Sequence, residues 1–242
     1  MNNITSFGQT DIGHFRSNNE DAFVARSDLG FCLVADGMGG AAAGEVASQI
    51  FCETALALFS NVTQSTESSI SQLLLDIFAK ANSRILDHIK DYPEHRGMGC
   101  TAELIAFADN QYIIGHVGDS RTYRMKNGKL EQLSRDHSLV QEQLDKGIIT
   151  PEDVKNHSQR NIILRAVGVA ENTEVDLLRG PTSPGDLFLL CSDGLTDMME
   201  DSAIEDALAT SDPIPQKVTR LITLAKDAGG HDNITVVLAT TD

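Results

Sequence analysis

The chain has 242 residues, of which 41% are hydrophobic and 22% charged, a composition that supplies a sizeable core and excludes extensive disorder. Its 19 basic and 35 acidic residues give a net charge of −16, so the field of the whole molecule repels nucleic acid and anionic lipid. The N-terminus lacks a basic segment followed by an apolar one, and no apolar run approaches the roughly 20 residues of a membrane span. We expect one domain over residues 1–242, located in the cytoplasm, with neither nucleic acid nor membrane as a partner.

The first third of the chain predicts a β-hairpin followed by two helices. Residues 22–26 and 31–35 have the composition of strands, and the turn at 27–30 joins them. The stretch Gly44–Phe59 predicts the first helix. Apolar residues recur at helical spacing over 70–89 and predict the second, whose single apolar stripe indicates core packing rather than cofactor binding.

The middle of the chain predicts four strands that pair as hairpins. Asn127-Gly128 separates the last two, and this dipeptide tolerates positive φ at both positions, as a two-residue hairpin turn requires. Gly118-Asp119-Ser120 marks a second tight reversal, with an aspartate at a strand end. The four predicted strands cover residues 101–107, 111–117, 122–126 and 130–133.

From residue 136 to 168 the strand pattern gives way to short polar helical pieces, at 139–146 and 151–156. We interpret this segment as a flap-like excursion from the sheet rather than a second domain. The remaining predicted elements are strands at 174–178, 187–191 and 234–239 and a helix around 218–225.

This order of elements lacks the regular strand-helix alternation of a parallel doubly wound sheet. Paired strands and helices in groups of two instead favour an α+β fold, with two antiparallel sheets flanked by helix pairs. The four cysteines form no Cys-x-x-Cys pair, and we expect buried free thiols rather than a zinc site or disulfides.

Four aspartates each lie at the edge of an apolar predicted strand, within two residues of a glycine. One aspartate in a turn is ordinary, but a sandwich can gather four strand ends at one rim, where unpaired carboxylates repel each other. A divalent cation would relieve that repulsion, and carboxylates without paired His or Cys favour Mg²⁺ or Mn²⁺ over zinc. The alternative is a set of unrelated turn and capping residues. The four are Asp36, Asp119, Asp193 and Asp232.

Six short motifs contain these aspartates. They read RSNNED at 16–21, VADGMGG at 34–40, GMGCTA at 97–102, HVGDSR at 116–121, CSDGL at 191–195 and GHDNIT at 230–235. In this order and spacing they resemble the successive motifs of the protein phosphatase 2C-like (PPM) family in its compact bacterial form. The resemblance covers nearly the whole chain, and it implies a four-layer α-β-β-α sandwich with a binuclear Mn²⁺ or Mg²⁺ centre at one rim.

The resemblance also assigns metal ligands to residues of this chain. Asp36 would bridge both metals, and Gly37 would offer its carbonyl oxygen. Asp193 and Asp232 would complete the shell of the second metal. Asp119, together with Asp193, matches the positions that bind a third, looser metal in bacterial relatives.

Three further residues of the first motif receive roles in the same way. Glu20 and Asp21 would hold metal-bound waters, and Arg16 would bind the substrate phosphate, since its planar guanidinium matches phosphate oxygens as a lysine cannot. The implied reaction is hydrolysis of phosphoserine and phosphothreonine in proteins by a water activated at the metal centre. The glycines after Asp36 do not form a nucleotide-binding P-loop, because no lysine follows them.

The general acid is the weakest point of the resemblance. An expelled alkoxide benefits from a proton donor, and many bacterial members carry a histidine where this chain has Ala41. We place the acid on His157, within the excursion, with His14 or a metal-bound water as alternatives. Arg160 and Asn161 are candidate substrate contacts.

The expected partners are phosphorylated proteins, the substrates of a bacterial serine/threonine kinase, and we expect a monomer. Two alternatives remain open. One is a catalytically silent member that binds phosphoproteins through the same rim. The other is a β-sandwich with calcium-stabilised turns, which would show metal-dependent melting but no turnover.

Overall fold

The computed structural model describes residues 4–39, 43–63, 65–154 and 157–241. The strands in this part of the chain form two antiparallel sheets. The first sheet runs, in spatial order, β1 (Ile4–Asp11), β11 (Ile234–Thr241), β10 (Leu187–Cys191), β7 (Arg121–Lys126) and β8 (Lys129–Gln132). The second sheet runs β2 (Asp21–Arg26), β3 (Phe31–Met38), β5 (Ala102–Ala108), β6 (Gln111–Val117) and β9 (Asp176–Pro181), with β4 (Gly99–Cys100) paired to the end of β3.

Helices cover the outer face of each sheet, so the predicted α-β-β-α layering is confirmed. The second sheet packs against α1 (Gly44–Phe59) and α2 (Glu67–Asp91), and the first against α6 (Asp201–Leu208) and α7 (Ile214–Asp227). Shorter helices are α3 (Leu139–Asp145), α4 (Pro151–Val154) and α5 (Asp193–Thr196). No helix in the described ranges is long and apolar enough to cross a membrane.

Buried apolar side chains fill three interfaces between these layers. Phe51 and Phe78 meet edge to face between the helix pair α1–α2 and the second sheet. Phe188 lies between the two sheets. Along β11 the faces alternate, because Val236 packs towards the helices and Val237 towards the other sheet. The alternation explains why these strands could be predicted from their apolar residues.

Four strands differ most from the sequence prediction: β4 (Gly99–Cys100) was not predicted, β9 covers Asp176–Pro181 rather than 174–178, and β1 and β3 differ as follows. β1 was not predicted, because its sequence ITSFGQTD has few apolar residues; it forms by pairing along its whole length with β11, from Ile4 opposite Thr241 to Asp11 opposite Ile234. β3 does not end before Asp36 as predicted, but continues to Met38, because its last two residues pair with β4.

The excursion over 136–168 is held to the body of the protein at both ends. At its start the His137 amide donates to the Gly118 carbonyl oxygen at 2.7 Å, and within the excursion Ser138 caps α3 and forms an isolated bridge with Ile163. A second isolated bridge joins Val167 to Cys100 of β4. The predicted second helix of the excursion ends at Val154 among the described residues, and its last two predicted positions, 155 and 156, lie outside them.

The four cysteines are free and buried, which confirms the prediction. Burial raises the pKa of the Cys32 thiol to about 11 and that of Cys52 to about 12. The thiols therefore remain protonated, and they act as small apolar core residues.

Candidate metal centre

The predicted aspartates come from four different parts of the fold and meet at one rim of the sandwich. Asp36 lies in β3, directly opposite Asp21 of β2. Asp119 lies in the turn between β6 and β7, and Asp193 begins α5 after β10. Asp232 lies in the loop that precedes β11. Each is thus placed by the end of a buried strand, as the sequence pattern indicated.

The pKa values show that these carboxylates act on one another. Burial raises the pKa of Asp36 well above its usual range, and the charges of Asp21, Asp193, Asp119 and Asp232 raise it further. Burial and the charges of Asp119 and Asp232 do the same to Asp193. Burial also raises the pKa of Asp21 to about 6 and that of Asp119 to about 7. The rim is therefore a place where negative charge is concentrated away from water.

The carboxylate oxygens at the rim fit a divalent cation. The Oδ1 atoms of Asp21, Asp119 and Asp193 are buried without a hydrogen-bond partner among the described residues, a condition that proteins rarely tolerate. An all-oxygen donor set suits Mn²⁺ or Mg²⁺. No three His, Cys, Asp or Glu side chains of the described ranges already stand in an arrangement that could hold an ion.

Two glycines create the space for main-chain and side-chain oxygens to converge beside Asp36. A Cβ at Gly44 would lie 2.5 Å from Glu20 Oε2 and 2.8 Å from the Gly37 carbonyl oxygen. A Cβ at Gly37 would lie 2.1 Å from the Gly44 carbonyl oxygen. Only glycine at both positions permits this approach, so the Gly37 carbonyl and the Glu20 carboxylate reach the same space.

Hydroxyl groups that were not predicted from the sequence orient Asp21. Its Oδ2 accepts hydrogen bonds from Ser192 Oγ at 2.7 Å and from Thr235 Oγ1 at 2.6 Å. Oδ1 is left to face the rim. Ser192 and Thr235 stand inside the quoted motifs CSDGL and GHDNIT, so the signal was present, but the partner of each hydroxyl could not be deduced from spacing.

Asn233 fixes the segment that carries Arg16 and Glu20. Its Nδ2 donates to the carbonyl oxygens of Ile12 and Asn18, both at 3.0 Å, and its Oδ1 accepts from the Glu20 amide at 2.8 Å. The loop before β11 therefore sets where the first motif lies. Asn233 was also missed as a site residue.

A cavity of about 770 Å³ opens over the rim and contains Arg16. The Arg16 Nη2 atom donates to Asp232 Oδ2 at 2.6 Å, and 52% of its side chain is exposed. Glu45, in the first turn of α1, lines the same cavity with a buried Oε2 atom that has no partner among the described residues. The cavity thus combines the half-exposed guanidinium of Arg16 with several carboxylates.

A second cavity of about 450 Å³ lies between the excursion and the segment from α5 to α6. Asp193 and Asn161 line both cavities, so the two adjoin. Across the second, Arg160 forms an ion pair with Asp197 at 3.3 Å. The two predicted substrate contacts, Arg160 and Asn161, therefore lie beside the metal rim.

The predicted proton donor is not brought to either cavity in the described part of the chain. The His157 Nδ1 atom accepts from the Gln159 amide at 3.2 Å within the excursion. His14, the alternative, donates its amide to the Gly230 carbonyl oxygen at 2.8 Å and does not line them either. Gly40 and Ala41 lie outside the described residues. The role of His157 stays a prediction.

Comparison with known proteins agrees with the geometry. The family model described as protein phosphatase 2C matches residues 13–239. The serine/threonine phosphatase stp of Listeria welshimeri is 39% identical over 238 residues, which cover 95% of this chain and 93% of that protein. The crystal structure of the Mycobacterium tuberculosis serine/threonine phosphatase PstP is 38% identical, with a TM-score of 0.92 and 98% of each chain covered.

A further solved structure bears on the metal. The catalytic domain of PstP in complex with two manganese ions is 36% identical to this chain, with a TM-score of 0.90 and 98% of each chain covered. The carboxylate rim of the present fold has the donor chemistry that such ions require. The chain therefore belongs to the protein phosphatase 2C family, and it is a metal-dependent protein serine/threonine phosphatase.

Proposed function

We propose that the carboxylate rim is the active centre, at which water attacks the phosphorus of phosphoserine or phosphothreonine in a protein substrate. The observation that carries the proposal is the set of buried, unpartnered oxygens of Asp21, Asp119 and Asp193 below a cavity that contains Arg16. Two divalent cations, Mn²⁺ or Mg²⁺, would lower the pKa of a shared water and neutralise charge on the phosphoryl oxygens.

The residues divide this work as the family resemblance implies. Asp36 would bridge the two ions and Gly37 would offer its carbonyl oxygen to one of them. Asp193 and Asp232 would hold the other, and Asp119 with Asp193 would hold a third, looser ion. Glu20 and Asp21 orient waters of the shell; the hydroxyl bonds of Ser192 and Thr235 hold Asp21 in one orientation for this purpose.

Arg16 binds the phosphate. Its ion pair with Asp232 competes with both proposed roles, since a divalent cation at Asp232 would repel the guanidinium that is paired with the same carboxylate. Binding of a cation by Asp232 would release the guanidinium, which then presents its planar fork to two phosphate oxygens. Arg16 thereby supplies positive charge at the place where the substrate phosphate binds, within an otherwise negative rim.

The proton donor for the leaving alkoxide is assigned to His157. We expect esters with good leaving groups, such as p-nitrophenyl phosphate, to be hydrolysed well, because they need no acid. Phosphothreonine peptides should be hydrolysed relatively poorly, since Ala41 replaces the histidine of many relatives. Restoring a histidine by Ala41→His should therefore raise the peptide rate selectively. An equal response of both substrates would exclude position 41 as the place of an acid.

The substrates we propose are phosphoproteins produced by a bacterial serine/threonine kinase, in a cytoplasmic signalling role, with the enzyme acting as a monomer. We also propose that residues 1–242 form a single phosphatase domain. The intact carboxylate set supports an enzyme over a catalytically silent phosphoprotein-binding module.

One assay tests the proposal. Phosphate release from a phosphothreonine peptide should require Mn²⁺ or Mg²⁺, stop in EDTA and be lost in Asp193→Ala. The exposed Asp206 of α6 provides a matched control, since Asp206→Ala removes a carboxylate remote from the rim. No release under any metal condition would contradict the proposal and favour the silent alternative. Melting that responds to Ca²⁺ without turnover would favour the structural one.

A further inference from the structure

A buried ion pair lies in the second sheet below the start of the excursion. Glu103 of β5 and His116 of β6 stand directly opposite one another, and both side chains are fully buried. His116 Nδ1 donates to Glu103 Oε1, and Thr122 Oγ1 donates to Glu103 Oε2. Burial alone would lower the pKa of His116, but the charge of Glu103 raises it to about 9. The imidazole therefore carries protons on both nitrogens.

The second nitrogen of His116 reaches out of the sheet to the chain just before the excursion. Nε2 donates to the carbonyl oxygen of Arg135 at 2.7 Å. The imidazole ring of His137 packs beside that of His116, with the ring centroids 4.4 Å apart. The imidazole of the ion pair thus provides a buried surface against which the His137 ring packs.

His137 in turn is bound twice to Gly118, the residue before Asp119. Its amide donates to the Gly118 carbonyl oxygen at 2.7 Å, and its Nδ1 accepts from the Gly118 amide at 3.1 Å. Gly118 is buried and has a φ of +113°, a conformation that other residues rarely adopt. The far side of the excursion is also bonded to His137, because the Leu164 amide donates to the His137 carbonyl oxygen at 2.7 Å.

The protonation state of His137 suits this arrangement. Burial lowers its pKa to about 4, with the charges of His116 and Arg165 contributing, so the ring is neutral. Nε2 lies 3.3 Å from Asp176 Oδ2 and 3.2 Å from Arg165 Nη1. Nδ1 accepts from the Gly118 amide, and no other side chain of the described residues is bonded to that amide.

We propose that His137 is a positioning residue for Asp119: its imidazole binds the Gly118-Asp119 turn while its main chain binds the far side of the excursion, so that the third-ion ligand and the flap keep one fixed relation. The inference rests on the proposed role of Asp119 in metal binding. Beyond that role, we infer that the excursion is bonded to the Gly118-Asp119 turn rather than merely packed beside it.

The test compares two substitutions at one position. Asparagine places an amide oxygen where His137 Nδ1 stands and keeps the acceptor for the Gly118 amide, whereas leucine removes it. The matched control is His88→Leu, which also removes a half-buried imidazole, one that is bonded to His95 at 3.0 Å at the end of α2. Should His137→Leu fail to fold, His137→Gln replaces it, because its longer side chain reaches the Nε2 position instead.

Three measurements are made on each protein. We expect His137→Leu to raise the Mn²⁺ concentration for half-maximal activity and to lower kcat/KM for a phosphothreonine peptide by roughly tenfold to a hundredfold, as small displacements of catalytic groups do. Hydrolysis of p-nitrophenyl phosphate at saturating Mn²⁺ should change by less than about twofold, because the two-ion centre is intact. His137→Asn should recover most of the peptide activity, and His88→Leu should resemble the wild type.

Amide hydrogen exchange in EDTA gives a readout that does not depend on catalysis. The Gly118 amide should exchange faster in His137→Leu than in the wild type, His137→Asn or His88→Leu. Unchanged protection of Gly118, or equal losses in His137→Leu and His137→Asn, would overturn the inference. If the wild type hydrolyses no phosphopeptide with any metal, the proposed function fails, and the exchange result still decides the role of His137.

Discussion

The protein buries acidic side chains in two places, and the cost of removing a carboxylate from water is met differently in each. Glu103, within the second sheet, has both carboxylate oxygens bonded, one to the imidazole of His116 and the other to the hydroxyl of Thr122. The aspartates of the rim leave three buried oxygens unbonded and raise each other's pKa values instead. A satisfied carboxylate serves the fold, whereas unsatisfied carboxylates that face one another are suited to an ion from outside.

The two places lie close together in the chain, since Asp119 follows His116 by three residues. His116, just before the β6–β7 connection, is thus held by an internal ion pair, whereas Asp119 within the connection has an unpaired carboxylate that is suited to a cation. Stability and function can therefore be separated by mutation within a few residues, as the following predictions require.

The largest effect is expected from removal of a rim carboxylate. Asp193→Ala should slow Mn²⁺-dependent hydrolysis of a phosphothreonine peptide on the order of a thousandfold, because several kcal/mol of transition-state stabilisation depend on the metal shell. In EDTA the same variant should be more stable than the wild type to urea, since one buried repelling charge is gone. A less stable variant would show that Asp193 is satisfied within the protein, as Glu103 is.

Removal of the internal carboxylate should have the reverse pattern. Glu103→Leu leaves His116 buried without its counter-charge and should lower the free energy of unfolding by about 3 kcal/mol in urea denaturation. The double variant Glu103→Leu with His116→Leu should recover part of the loss, because no unpaired buried charge then remains. If the double variant is no better than the single one, the pair is not what stabilises this region.

Metal addition should stabilise the protein through the rim alone. At a free Mn²⁺ concentration one hundred times the dissociation constant, each site that binds only the folded state adds about 3 kcal/mol to the free energy of unfolding. The gain should be present in Glu103→Leu and much reduced in Asp193→Ala. Thermal melting with Mn²⁺ and with EDTA measures it, and an equal gain in both variants would contradict the assignment.

The smallest effects should appear in the pH dependence of stability in EDTA, where one group contributes at most about 1.4 kcal/mol per pH unit. Asp21 and Asp119 have pKa values raised from 3.8 to about 6 and about 7, so the folded state binds protons more tightly and stability falls as pH rises through this range. His116, raised from 6.5 to about 9, gives stability that is complete below pH 6.5 and lost as pH rises to about 9.

The stability losses in these two pH ranges can be distinguished with one variant each. His116→Leu should reduce the alkaline loss and leave the acidic one unchanged. Asp119→Asn should reduce the slope below pH 7 and leave the alkaline loss unchanged. Urea denaturation across pH 4 to 9 measures both.

Elements with strong periodicity were predictable from the sequence, whereas elements formed through their neighbours were not. α1, β6 and β10 have the predicted bounds, because apolar residues alone determine which face is buried. β1 shows no such pattern and depends on the partner strand β11. The extension of β3 past Asp36 likewise depends on β4, which no local signal announced.

The same distinction holds at the candidate site. The recurrence of an aspartate and a glycine after apolar strands was enough to single out the acidic residues, since residue type carries the metal chemistry. The bonds of Ser192, Thr235 and Asn233 could not be deduced, because each joins residues far apart in sequence. His137 was missed for that reason, as its function depends on its contact with Gly118.

The burial of every thiol has a practical consequence for experiments on this enzyme. The four cysteines stand in α1, β3, β4 and β10, so they sample both sheets and one outer helix layer. Alkylating reagents can reach them only when these layers separate, and the rate at which each cysteine is modified then reports the opening of its own layer. A cysteine introduced at an exposed site such as Ser158 could be labelled selectively in the folded protein without replacing any of the four native cysteines.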